Sequence, residues 1–66
     1  MDVQLNGQPH RLGNEQTLGQ LIDSLELRRD GIAVAMNGDV VPRASHDETR
    51  LQSGDRIEII QAVGGG

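Results

Sequence analysis

The sequence of 66 residues lacks several residue types on which small proteins often rely. It contains no cysteine, which excludes a disulfide framework, a thiolate zinc site, a cysteine nucleophile and an iron–sulfur cluster held by this chain. It contains no Phe, Tyr or Trp, so no aromatic ring can stack on a nucleic-acid base. Stability must therefore come from aliphatic packing in one small domain.

Positive charge is also scarce, because six arginines and no lysine face ten carboxylates, for a net charge of -4. The phosphate backbone of nucleic acids binds proteins with a basic surface, so nucleic acid is not an expected partner of this acidic chain. The acidic balance favours a partner with a basic groove, or it serves only solubility. Long apolar runs are missing as well, and Met1-Asp2 lacks the basic region of a secretory signal, so we expect a cytoplasmic protein without a membrane partner.

The amino-terminal segment has the pattern of a β-hairpin. Val3 and Leu5 alternate with polar residues, and Asn6-Gly7 is a dipeptide typical of a type I′ turn. A two-residue loop would place His10 opposite Val3. Pro9 lacks a backbone donor, which predicts that the second strand lies at a sheet edge.

One amphipathic helix is predicted after this hairpin. Thr17 and Gln20 have the spacing of a capping box. An apolar stripe with helical spacing follows, at Leu18, Leu21, Ile22 and Leu25. We expect the helix to end in residues 28–31, where Arg28 and Arg29 would suit the negative end of the helix dipole.

The remaining sequence predicts three strands. The first is Ile32 to Met36, the second is the short pair Val40-Val41 before Pro42, and the longest runs from Arg56 to Val63. A single helical turn is predicted from the capping-box spacing of residues 45–48, and Leu51 is expected to fill the core from the following loop.

These elements predict an α+β fold in which one helix crosses a mixed sheet of about five strands. The first and last strands would lie side by side and parallel at its centre, as in the β-grasp fold. The predicted domain spans residues 1–63, and residues 64–66 form a flexible glycine tail.

The sequence offers no constellation of residues suited to catalysis. The two imidazoles, His10 and His46, have no Cys or second His at ligand spacing, so no metal site is expected. We interpret His10 as a cross-strand partner of Val3 and His46 as an exposed loop residue. Ser45, His46 and Asp47 are adjacent and cannot adopt the geometry of a catalytic triad.

The carboxyl-terminal glycines suggest a chemical substrate. A run of terminal glycines is ordinarily a frayed end or a linker. Here Gly64, Gly65 and Gly66 follow a strong strand directly, and side-chain-free backbone can pass through a narrow channel in another protein. A carboxylate is a poor electrophile until it is activated, so this tail would be acted on rather than act.

Several segments together resemble the ThiS family of sulfur carriers along the whole chain. They are Asn6-Gly7, Thr17-Leu18, the stretch from Ala33 to Gly38, Val40-Val41-Pro42-Arg43, the stretch from Gly54 to Glu58, and the stretch from Ala62 to Gly66. One departure is His46, at a place where many relatives carry an aromatic residue, usually Trp.

The resemblance implies a ubiquitin-like protein without a bound cofactor. Its Gly66 carboxylate would be adenylated by a ThiF-like enzyme that uses ATP, and sulfur from a persulfide enzyme would then displace AMP. The resulting thiocarboxylate would donate sulfur to a ThiG-like thiazole synthase for the thiazole half of thiamine, with Gly64 and Gly65 threaded into the partner sites. Two alternatives stay open, namely a carrier like the small subunit of molybdopterin synthase, and a ubiquitin-like binding module or tag without sulfur chemistry.

A docking surface is predicted on the sheet face opposite the helix. Small and apolar side chains alternate outward on the third and last strands and continue toward the tail. The predicted docking residues are Ala33, Ala35, Ile60, Ala62 and Val63.

Overall fold

The computed structural model describes residues 1–61, in which five strands form one mixed sheet crossed by a single α-helix. The elements in chain order are β1 (Asp2–Leu5), β2 (Gln8–Arg11), α1 (Leu18–Ser24), β3 (Ile32–Met36), β4 (Asp39–Val41) and β5 (Arg56–Gln61). The sheet order is β2-β1-β5-β3-β4, with β1 and β5 parallel and the other pairs antiparallel. The predicted fold class, the parallel central pair and the edge position of β2 are confirmed.

Two Asn-Gly turns tie their hairpins to the central strand. Asn6 and Gly7 both have positive φ, 52° and 80°, as a type I′ turn requires. The Asn6 Oδ1 also accepts a hydrogen bond of 2.8 Å from the Ile59 backbone N–H. Asn37, with φ 53°, does the same at the other end of β5, where its Oδ1 accepts from the Arg56 N–H at 2.9 Å. Each turn therefore fixes both a hairpin and its position against β5.

The core lies between the helix and one face of the sheet. Its buried apolar side chains are Val3, Leu12, Leu18, Leu21, Ile22, Val34, Leu51, Ile57 and Ile59. Alternation along each strand and the helical stripe place these side chains on facing surfaces, as the sequence pattern predicts. Leu51 fills the core from its loop as expected, with 6% of its surface exposed.

The start of α1 is capped by its own side chains and by a distant loop. Thr17 Oγ1 accepts a hydrogen bond of 3.2 Å from the Gln20 N–H, which confirms the predicted cap. The Gln20 side chain accepts from the Gln16 N–H, one residue earlier than a standard capping box. The N–H groups of the first two helical residues bond to the distant loop: Leu18 donates to the carbonyl of residue 49, and Gly19 donates to the carbonyl of residue 46. The loop of residues 42–49 thus covers the helix N-terminus.

The predicted end of the helix was wrong. The helix ends at Ser24, and Glu26 adopts a left-handed conformation with φ 61°. The Glu26 N–H donates to the Asp23 carbonyl and the Leu27 N–H donates to the Ile22 carbonyl, which is the hydrogen-bond pattern of a Schellman motif. Residues 29–31 form a separate 3₁₀ turn.

Arg29 consequently has a different role from the one predicted. Its guanidinium lies beside the helix, donates to the Gly19 carbonyl, and forms ion pairs of 3.0 Å with Asp23 and with Asp47. The hydrogen bond to Asp23, and then the one to Asp47, raise the pKa of Arg29 above its already high ordinary value. A Cβ on residue 19 would collide with the Asp47 carboxylate, so glycine there permits the close approach of helix and loop.

His46 is buried, which corrects its interpretation as an exposed loop residue. Only 2% of its surface is exposed, and its Nε2 lies 3.3 Å from the Val41 carbonyl oxygen. The predicted helical turn begins two residues earlier than expected, as a 3₁₀ turn over residues 43–45 after Pro42. That shift directs the imidazole inward, where it completes the side of the core beneath the loop.

Candidate functional site

The face of the sheet opposite the helix carries the candidate docking surface. Because Ile57 and Ile59 point into the core, their strand neighbours Glu58 and Ile60 point outward. Ile60 is 67% exposed, an unusual value for a large apolar side chain on a central strand. The same alternation on β3 buries Val34 and turns its two alanine neighbours outward.

The strand register brings the outward residues together. Ala33 lies directly opposite Ile60, and Ala35 lies opposite Glu58 on one side and Val40 on the other. Val40, 77% exposed, belongs to this surface and was missed, although its strand neighbour Val41 is partly buried against the core, so alternation turns Val40 outward. We call the four side chains Ala33, Ala35, Val40 and Ile60 the outer patch.

Two charged side chains border the outer patch on β5. Arg56 and Glu58 are both exposed and both point outward. They line a shallow hollow of about 400 Å³ together with residues of the first hairpin, among them Gln4 and Asn6. The hollow exists because β1 pairs with β5 only as far as Ile57, after which the Asn6 side chain replaces the strand.

The predicted tail lies outside the described residues. The last described residue of β5 is Gln61, on the strand that also carries Ile60. The proposed docking residues Ala62 and Val63 follow it directly in the chain, and the glycines Gly64, Gly65 and Gly66 come next. Of the outer patch, Ile60 therefore lies on the strand that leads into the tail, and Ala33 lies opposite it on β3.

The two histidines lie apart and serve the fold. His10 pairs with Val3 across the first hairpin, as predicted, and His46 belongs to the core. Among residues 1–61 there is no group of three His, Asp or Glu side chains that could hold a metal ion. In the same part of the chain, no helix has the length and apolar character needed to cross a membrane.

Comparison with known proteins assigns this architecture to a family. The family model described as "ThiS family" matches residues 3–66. The sulfur carrier protein ThiS of Escherichia coli is 33% identical over the full length of both chains. A thiazole synthase of Magnetococcus marinus is 36% identical over all 66 residues, which make up 20% of that protein. This chain thus corresponds to the whole of one relative and to one fifth of another.

A solved structure agrees with the sequence comparisons. The crystal structure of the thiamine biosynthesis protein ThiS from Geobacter metallireducens superposes with a TM-score of 0.84 and 28% identity, and the match covers all of both chains. The solution structure of a thiamine biosynthesis protein from the same organism gives a TM-score of 0.81. With the family model, the full-length relative and the shared fold in agreement, the chain belongs to the ThiS family.

Proposed function

We propose that this chain is a sulfur carrier for formation of the thiazole moiety of thiamine. The observation that carries the proposal is the family match over residues 3–66, which extends through the glycine tail to Gly66. The full-length relative in Escherichia coli bears the name sulfur carrier protein. In this role the folded body presents a docking surface, and the carboxylate of Gly66 is the group that is chemically changed.

The chemistry begins with activation of the Gly66 carboxylate. A ThiF-like enzyme positions it against the α-phosphate of ATP, and the carboxylate oxygen displaces pyrophosphate to give an acyl adenylate. A persulfide sulfur then attacks the acyl carbon and AMP leaves. Cleavage of the resulting acyl disulfide by a thiol leaves the thiocarboxylate on Gly66 and a disulfide on the donor side. Attachment to a docked carrier keeps the sulfur at a high effective concentration at the next enzyme.

A thiazole synthase of the ThiG type is the proposed acceptor of this sulfur. In Magnetococcus marinus and Paramagnetospirillum magneticum a segment similar to this chain forms one fifth of a protein named thiazole synthase. A segment similar to this chain and the remainder of the synthase are thus joined in one polypeptide in those organisms. Covalent linkage raises the effective concentration of one for the other, which supports a direct interaction where they are separate.

The outer patch is the proposed docking face for these enzymes. Its small alanines allow close approach, and the exposed side chains of Ile60 and Val40 offer apolar surface to bury. Ala62 and Val63 would extend this contact toward the tail. Because Ile60 of the patch lies on β5, the strand that precedes the tail, a protein docked around it would be close to the reactive end.

Removal of the last two glycines tests the proposal. A variant that lacks Gly65 and Gly66 should unfold at the same temperature as the full chain, because the described core does not include them. It should support no ATP–pyrophosphate exchange by the ThiF-like enzyme of the same organism. It should still compete with the full chain for that enzyme, because the docking face is intact.

Two results would contradict the proposal. One is exchange at the normal rate with the shortened chain, which would show that the Gly66 carboxylate is not the group activated. The other is an absence of exchange with the full chain under conditions in which the enzyme activates another carrier.

A further inference from the structure

The Glu58 carboxylate stands at the edge of the apolar surface, and no residue of the described range 1–61 forms a salt bridge with it. Across β3 it faces the methyl group of Ala35, and along its own strand Ile60 lies on the same face. On the β1 side it borders the hollow, because no strand residue of β1 lies beside it. Glu58 therefore combines exposure, an apolar border and open space for an incoming side chain.

The basic side chains of the described part do not neutralise Glu58. Three arginines form ion pairs elsewhere, Arg11 with Asp2, Arg28 with Asp30, and Arg29 with Asp23 and Asp47. Arg56 lies two positions before Glu58 on the same face of β5, yet within residues 1–61 no nitrogen of a basic group comes within 4.0 Å of the Glu58 carboxylate.

We propose that Glu58 selects its partner by accepting a salt bridge from a cationic side chain of the activating enzyme. This inference rests on the proposed function, because it assumes that the enzyme covers the outer patch. A protein that covers the patch also withdraws water from Glu58, and a buried carboxylate without a counter-ion carries a large penalty. An arginine or lysine that enters the hollow removes this penalty, whereas a surface without a cation there is disfavoured.

Charge and space both fit a cationic occupant. The chain has a net charge of -4, so a basic partner surface is attracted at long range before the contact forms. The hollow of about 400 Å³ beside Glu58 can admit a long side chain, and the Gln4 side chain at its border can accept a further hydrogen bond. The competing arrangement is that Arg56 turns toward Glu58 on docking and neutralises it from within.

Titration calorimetry with the full chain and the ThiF-like enzyme of the same organism distinguishes these arrangements. Glu58→Gln keeps the shape of the side chain and removes its charge, so it should weaken binding about tenfold, the lower range for close charge pairs across an interface. It should also flatten the salt dependence of the affinity. Glu48→Gln, the same charge change in the loop over the helix, should have neither effect. Arg56→Gln should leave the affinity unchanged or improve it.

The contrary results separate this inference from the proposed function. If Glu58→Gln binds like Glu48→Gln while Ile60→Asp abolishes binding, the docking face stands and the role of Glu58 is wrong. If Arg56→Gln weakens binding as much as Glu58→Gln, the neutralising cation belongs to this chain and the inference fails. If Ile60→Asp binds like the unaltered chain, the docking face itself is wrong, and the role of Glu58 falls with it. Melting temperatures close to that of the unaltered chain establish that each variant is folded.

Discussion

At the scale of single residues, His46 shows how a polar side chain completes an aliphatic core. Its Nε2 lies within hydrogen-bond distance of the Val41 carbonyl oxygen, which can accept a hydrogen bond from an Nε2–H group. Its Nδ1 is buried and has no hydrogen-bond partner among residues 1–61. The ring therefore contributes mainly by filling volume under the loop of residues 42–49. This loop connects β4 with the helix N-terminus.

We predict that His46→Ala lowers the free energy of unfolding by about 2–4 kcal/mol, because it leaves a cavity and removes one hydrogen bond. Urea denaturation followed by circular dichroism measures this change. His10→Ala is the matched control, since His10 is only half-buried on the edge strand, and it should cost less than about 1 kcal/mol. Equal effects of the two substitutions would refute the structural role assigned to His46.

At the scale of elements, the end of the helix determines how the chain reaches β3. Glu26 occupies the left-handed position that glycine fills in most Schellman motifs. The Leu27 side chain packs against the core cluster directly after it, which accounts for the abrupt end of the helix. The motif is thus kept in spite of an unfavourable residue at its left-handed position.

Glu26→Gly should raise the free energy of unfolding by about 1 kcal/mol. The left-handed conformation costs an L-residue about 1–2 kcal/mol, and glycine avoids this cost. Part of the gain is offset because glycine loses more conformational entropy on folding than glutamate does. The melting temperature should rise accordingly. Glu48→Gly, at a position without positive φ, should not raise it. A lower melting temperature for Glu26→Gly than for the unaltered chain would show that the glutamate side chain makes a contribution that the backbone argument omits.

At the scale of the whole molecule, sequence patterns were sufficient for the topology and insufficient for the loops. Strand and helix periodicities gave the sheet, the helix and its apolar stripe, because each follows from local geometry. The burial of His46 depends on a carbonyl of β4 and on a loop that packs over the helix, neither of which has a local signal. The end of the helix was predicted wrongly because glutamate rarely adopts a left-handed conformation, so the sequence at Glu26 carries no signal for a helix end. Of the outer patch, only Val40 was overlooked, and its alternation with Val41 could have revealed it.

Substitutions in the glycine tail test how the carrier and the activating enzyme work as an assembly. Gly66→Ala should preserve the fold and the docking affinity and slow adenylation by about a hundredfold, because a Cβ beside the reacting carboxylate displaces it from the α-phosphate of ATP. Gly64→Ala should have a milder effect, since it lies farther from the reacting carbon. Pyrophosphate exchange measures both rates. If both variants exchanged at the normal rate, the glycines would act only as a flexible tether.

The most direct test of the carrier function is the intact mass of the protein isolated from its own cells. The sulfur-carrier account predicts a fraction of molecules in which one oxygen at the carboxyl terminus is replaced by sulfur, and fragmentation should place that change on Gly66. The fraction should disappear when the ThiF-like gene is deleted. A carboxyl terminus that carries only oxygen, in cells that are actively making thiamine, would contradict the account.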